Sequence, residues 1–191
     1  MEKRDRLNMK RVLLIATVLL ISVISTACIN NFAVQELNVK AKEFMDNGDY
    51  ASAVERLKSS TDLAPTSYEI WYNLAVAYTK LDDYINAVEA YNKVIELNPE
   101  FAEAYYSLAV CEENLIIDIK NGMIGLNASG QPEKVEVVAD DLTDEEKAYI
   151  EDLTDKAIKN YEKFIEISDD EVKKQAAQQQ IYEFNHKAEL E

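Results

Sequence analysis

Two hydrophobic patterns divide the chain. From Val12 to Ile24 apolar residues run almost without a break. From about residue 34 onward they recur every three or four positions, the period that puts side chains on one face of a helix. Trp71, Leu74, Ala75 and Tyr78 make one such stripe, and Ala87, Tyr91 and Val94 make another. Small residues at Ala75 and Ala87 let two helix backbones approach, and the aromatic rings fill the space around them. Turn signals at Asn47-Gly48-Asp49-Tyr50 and Leu81-Asp82-Asp83-Tyr84 separate the stripes. Thr66-x-x-Glu69 predicts a capping box at the start of a helix, and Pro99 predicts the stop of the next.

The pattern repeats. Pro65 and Pro99 are 34 apart, as are Ala41 and Ala75, Phe44 and Tyr78, Tyr50 and Tyr84, Ala53 and Ala87, and Leu57 and Tyr91. Units are expected at about 34–67, 68–101 and 102–169. The third starts in register, with Tyr105, Leu108 and Ala109, but Glu112 then replaces the expected aromatic. The alanine due at 121 stands instead at Ala157, 36 positions later, with Tyr161 four beyond. Leu115-Ile116-Ile117-Asp118-Ile119 prolongs the preceding helix, and Thr143-x-x-Glu146 restarts one near Asp144 that runs through Phe164. Two over-long antiparallel helices then project past the repeat. Between them lies an insertion at about 121–142, with three of the four glycines and Val135-x-Val137 as a possible short strand. It reads either as a loop or as a contact element. Ser168-x-x-Glu171 opens a last, Gln-rich helix at about 170–190, suited to cap a repeat stack.

Trp71-x-x-Leu74-Ala75-x-x-Tyr78, Ala87-x-x-x-Tyr91 and Pro99 resemble the tetratricopeptide repeat signature. The resemblance covers about 34–190. It implies an all-α, antiparallel helix-pair solenoid of about three repeats plus a C-terminal capping helix, the third repeat carrying the insertion. It also implies a concave groove that binds peptides or partner helices. Carried over by position, that groove is lined by Asn38, Lys42 and Met45, by Tyr72, Val76 and Thr79, and by Tyr106, Val110 and Glu113. One subclass clamps acidic C-terminal tails. Asn73 fits that pattern, but Asn38 and Glu103 stand where lysines are needed.

The N-terminal pattern has a different use. Lys3 to Arg11 is basic, Val12–Ile24 is apolar, and Ser25-Thr26-Ala27-Cys28 follows. A positive end, an apolar core and small residues at a cut site make a secretory signal. The apolar run spans about 20 Å as a helix, short of the roughly 30 Å bilayer core. Ser25-Thr26-Ala27-Cys28 resembles the bacterial lipobox, in which the cysteine takes a diacylglyceryl group and the peptide is cut before it. Ser25 replaces the leucine that family prefers. The resemblance implies a signal peptide at 1–27, an acylated Cys28 and a short linker at 28–33. It places the domain on the extracytoplasmic face of a membrane, the outer one included if the cell has one. An uncleaved membrane-spanning helix from Val12 to about Ile29 is the alternative.

Composition narrows the partners. The net charge is −16, and residues 1–27 carry five basic and two acidic side chains, so residues 28–191 hold −19. Such a surface repels phosphate backbones, which argues against nucleic acid. The two cysteines, Cys28 and Cys111, have no metal-ligand spacing, and a disulfide between them competes with the use of Cys28 as an anchor. Cys111 sits among Leu108, Ala109 and Val110, where a buried inert thiol is expected. His186 is the one histidine and is expected on the surface. Acidic pairs such as Asp82-Asp83 and Asp169-Asp170 fall at turns and helix starts, where carboxylates favour the helix dipole. Asn127-Ala128-Ser129 matches a glycosylation sequon by chance. The expected role is a membrane-tethered adaptor for another protein, with no catalysis, cofactor, metal or small-molecule substrate. The alternative is a self-oligomerising envelope subunit whose groove is filled by its own insertion or by another copy.

Overall fold

In the computed structural model, which describes residues 31–135 and 141–187, one kind of joint recurs along the chain. The first helix, α1, covers 31–46, and α2 is Tyr50–Leu63. Between them Gly48 takes a left-handed backbone (φ +76°). The Gly48 N–H donates to the Met45 carbonyl and the Asp49 N–H to the Phe44 carbonyl, closing the helix end. Helices α3 (Tyr68–Thr79) and α4 (Tyr84–Leu97) are joined the same way 34 residues later. There the Asp82 N–H meets the Thr79 carbonyl, the Asp83 N–H meets the Tyr78 carbonyl, and Asp82 itself is left-handed at φ +53°. The third such joint closes α5 (Ala102–Lys120) at Gly122 (φ +68°). It comes later than the period demands because α5 runs on through Ile119, as the apolar run at 115–119 predicts.

The described part of the insertion before α6 forms a hairpin at the end of the lengthened α5. Strands β1 (Ile124–Leu126) and β2 (Pro132–Lys134) pair antiparallel, with Gly125 opposite Glu133. The Asn127 carboxamide accepts from the Ser129 and Gln131 N–H groups and shapes the turn. The strand expected at Val135-x-Val137 lies earlier: β2 stops at Lys134, Val135 contributes one further bond to Met123, and Val137 lies outside the described residues. Helix α6 (Asp144–Ile167) opens on the predicted capping box, with both the Thr143 and Glu146 halves formed.

Two start signals are placed differently. The N-cap of α3 is Ser67, not Thr66. This shift puts Ile70, not Glu69, at the third helical position, so the Thr66-x-x-Glu69 box does not form. The Ser67 hydroxyl donates to the Glu69 carboxylate instead (2.9 Å). The last helix, α7 (Glu171–Lys187), is opened by the Asp170 carboxylate, which accepts from the Val172 and Lys173 N–H groups. Ser168 is buried and accepts from the Asp170 N–H.

From α2 to α7 each helix packs on the next, and α1 joins α2 and α3 through Ala41. The pairs α1/α2, α3/α4 and α5/α6 form three repeats, with α7 as the cap. Ala41, Ala53, Leu57, Ile70 and Leu74 fill the joint between α1, α2 and α3. Ala75, Ala87, Tyr91, Val94, Leu108 and Cys111 fill the next. Ala109, Ala157, Tyr161, Phe164 and Ala177 hold α5, α6 and α7 together. The lengthened ends have their own small core of Leu115, Ile116, Ile119, Ile124 and Leu153. Among the described residues no helix is long and apolar enough to cross a membrane. The segment read as a signal peptide, with Cys28 and its lipobox-like residues, lies outside the described residues.

Candidate functional site

The strip implied by the tetratricopeptide resemblance runs along the first helix of each pair. Its centre is Tyr72 on α3. The half-buried ring meets Phe101 edge-on at 4.9 Å between centroids and Tyr91 at 5.9 Å, a geometry favourable for aromatic pairs. Burial and the Glu103 carboxylate raise its phenol pKa, and the Ser107 hydroxyl acts in the opposite direction. Val76, one turn on, packs against the same cluster. Asn73 and Glu103 are exposed beside them.

The other positions of the sequence-derived strip divide between the surface and the interior. Lys42 is exposed and pairs with Asp46 at 3.0 Å. Met45 is half-buried against the α1–α3 core. The Asn38 carboxamide accepts a hydrogen bond from the Ser60 hydroxyl (2.9 Å), tying α1 to α2. The Thr79 hydroxyl donates to the Ala75 carbonyl and lies 3.3 Å from the Cys111 sulfur, inside the α3–α5 joint. Tyr106 packs between Tyr161 and Phe164 of α6, with the Lys173 ammonium of α7 at 5.8 Å from its ring centre. Val110 joins the same cluster. Glu113 accepts from the Tyr161 hydroxyl at 3.2 Å. Lys42 is thus exposed, Met45, Tyr72 and Val76 are half-buried, and much of the third unit seats α6 and α7.

Glu112 is the residue the strip misses. The 34-residue offset sets it where Phe44 and Tyr78 stand, and it is only 2% exposed. One carboxylate oxygen accepts from the Asn160 side chain at 2.8 Å. Burial pushes its pKa up to about 7, against the lowering effects of Asn160 and Lys156. The repeat offset was the signal: an acid at an inward position has to find a polar partner. Cys111 beside it is fully buried, and burial raises its thiol to about 11, so it stays protonated at neutral pH. His186 is exposed and stacks on Tyr182 at 3.8 Å. Among the described residues no group of His, Cys, Asp and Glu is placed to hold a metal ion.

The likeness to known proteins is one of repeat and fold. Family models match two stretches: one described as TPR repeat over residues 41–82, and one described as tetratricopeptide repeat over residues 68–101. No curated protein matches the chain. Among solved structures, the MamA protein is 28% identical, with a TM-score of 0.56 over 84% of this chain and 67% of that one. The TPR domain of Sgt2 from Aspergillus fumigatus is 16% identical, with a TM-score of 0.51 over 82% and 79% of the two chains. The second TPR domain of human RPAP3, solved with the HSP70 peptide SGPTIEEVD, is 12% identical, with a TM-score of 0.56 over 82% and 98%. The last two share the fold. Residues 41–101 thus carry tetratricopeptide repeats, and the chain folds as an all-α helix-pair solenoid of the tetratricopeptide type.

Proposed function

We propose that this protein is a membrane-tethered adaptor that holds a segment of another protein against its inner face, anchored through acylated Cys28 on the extracytoplasmic side. The observation that carries the binding reading is the half-buried aromatic pair Tyr72 and Phe101, seated on the buried Tyr91 beside the exposed Glu103 and Asn73. Rigid aromatic groups at the centre of a concave face are the usual anchors of a protein partner. The peptide-bound human RPAP3 domain uses the same fold for such a ligand. The exposed Glu103 disfavours an acidic tail here and favours a neutral or basic segment. The anchor rests on the sequence alone: a basic start, an apolar run and small residues ending at Cys28.

The binding test is crosslinking and capture from membranes of the native host, with wild type beside Tyr72→Ala. Tyr106→Ala is a poor second change, because Tyr106 is packed against α6. A partner held by wild type and lost by a Tyr72→Ala variant of equal helicity supports the inner face. Capture by both, or by neither, removes it. The anchor is tested separately by metabolic labelling with an alkyne fatty acid. Label and membrane retention lost in Cys28→Ala support acylation, and an unlabelled wild type rejects it.

A self-assembling subunit is the second reading. Single large apolar side chains stand out on the two outer helices: Phe32 is 69% exposed on α1 and Val172 79% on α7. Light scattering across a concentration series decides it, since a constant monomer mass excludes assembly.

A further inference from the structure

The charge-poor stretch at the N-terminus does not end at Cys28. Residues 12–39 hold one charged side chain, Glu36, whereas the next 28 residues, 40–67, hold nine. Charged residues make up 29% of the chain, so the gap is a local feature of this segment. It runs eleven residues past Cys28 and into α1 as far as Val39. Glu36 is itself compensated by Lys40, 2.6 Å away. Charge is excluded where a chain meets hydrocarbon, because an ion there loses its hydration.

Inside α1 the gap coincides with an outward apolar pair. Phe32 is 69% exposed and Val39 58%. At about 3.6 residues per turn both lie roughly 160–180° round the helix from the buried Ala41. They therefore point away from α2 and α3, while Val34 packs inward on the core. Gln35 and Glu36 are exposed beside them. Beyond Val39 the same outer side turns acidic, with Glu43 and with Asp46, which pairs with Lys42. Phe32 is four residues from Cys28, a reach of about 14 Å at most. The polar layer of a bilayer is about 5–8 Å deep on each side of the hydrocarbon. An anchor at Cys28, or a span ending near Ile29, leaves the first turns of α1 within reach of that layer.

We propose that the outer side of α1, from Phe32 to Val39, rests in the interface of the bilayer that holds the N-terminus, with Phe32 deeper than Val39. This rests on the membrane-anchor reading, in its acylated or its membrane-spanning form, and does not depend on the partner at Tyr72. Apolar side chains on one face of an interfacial helix sink below the headgroups while the polar ones stay among them. The acidic Glu43 and Asp46 tilt the later turns away. Residues 28–191, at −19, are repelled by anionic lipid, so the contact suits a zwitterionic surface. Helices α2 to α7 then stack outward from the membrane, with α7 at the far end.

The test uses the full chain purified from membranes of the native host and returned to phosphatidylcholine vesicles, with or without bromine on the acyl chains near the headgroup. Bromine quenches an indole only at close approach. Wild type, whose one indole is Trp71 on α3, gives the baseline. Phe32→Trp, Val39→Trp and Val172→Trp each add an indole at an exposed position and leave the core untouched. The indole added by Phe32→Trp is expected to lose about half its emission or more, since an interfacial face lies about 5–10 Å deep. Val39→Trp is expected to lose less, and Val172→Trp, on α7, nothing beyond the baseline. Flotation with the vesicles is read on the same samples. Protein that floats without added quenching in Phe32→Trp, or with equal quenching in Phe32→Trp and Val172→Trp, overturns the contact and leaves the anchor standing. Protein that does not float overturns both. Stronger quenching in Val39→Trp than in Phe32→Trp overturns the order of depth. Absent quenching with a mass that rises with concentration assigns the outer side of α1 to a second copy instead.

Discussion

At the residue scale, Glu112 shows how a repeat position can keep its direction and change its chemistry. Its pKa is pushed from 4.5 to about 7, chiefly by burial. Between those values the folded chain keeps a proton that the unfolded chain has released. Stability is therefore fullest below that window, falls as pH rises through it, and is flat above. The contribution is roughly 3 kcal/mol at most, taken from the size of the shift. Glu112→Gln mimics the protonated shape, so its melting temperature is expected to gain on wild type as pH rises through the window. Melting curves that stay parallel over that range would refute the assignment. Gly48 carries a second prediction. Its backbone is left-handed, and a Cβ added there meets nothing within 4 Å, so any cost of substitution is conformational. Gly48→Ala is expected to cost about 1–2 kcal/mol in urea unfolding. Gly48→Asp should cost less, because Asp82 already occupies the same joint 34 residues on.

At the element scale, the two capping boxes written in the sequence separate signal from coincidence. Thr143 and Glu146 exchange backbone and side-chain bonds at the start of α6. Thr66 has no such place, because α3 begins behind Ser67. Thr143→Ala is expected to destabilise the first turns of α6 by about 1 kcal/mol, read as faster hydrogen exchange there. Thr66→Ala is expected to stay within about 0.5 kcal/mol of wild type. Equal effects would mean that the motif alone, and not its seating, governs these helix starts. The lengths of α5 and α6 were legible from Leu115–Ile119 and Thr143-x-x-Glu146, since both signals are local. The hairpin was not: Ile124–Leu126 has little pattern of its own, and its pairing with Pro132–Lys134 depends on the joint at Gly122 and on the floor beneath it.

At the scale of the whole molecule, charge and packing pull in opposite directions. The chain carries −16. Ion pairs on its helix surfaces, such as Lys40–Glu36 and Lys156–Asp152, join residues four apart and are exposed. Such exposed pairs contribute little, less than the summed self-repulsion that salt screens. The melting temperature is therefore expected to rise with sodium chloride at neutral pH. A fall with salt would show that these pairs outweigh the net charge.

The sequence by itself determined the repeat, the helix pairs, the alanine-and-aromatic joints and the place of the insertion. All of these are written in spacings of three, four and 34 residues, which act through a helix's own geometry. Only the tertiary structure decided what covers each face. Nine positions were assigned to the groove by the tetratricopeptide resemblance, yet Asn38 went to Ser60, Thr79 to the Cys111 joint, and Tyr106 beneath α6 and α7. Periodicity gives the direction in which a side chain leaves its own helix. What it meets there belongs to another helix, distant in sequence, and that contact exists only once the stack has closed.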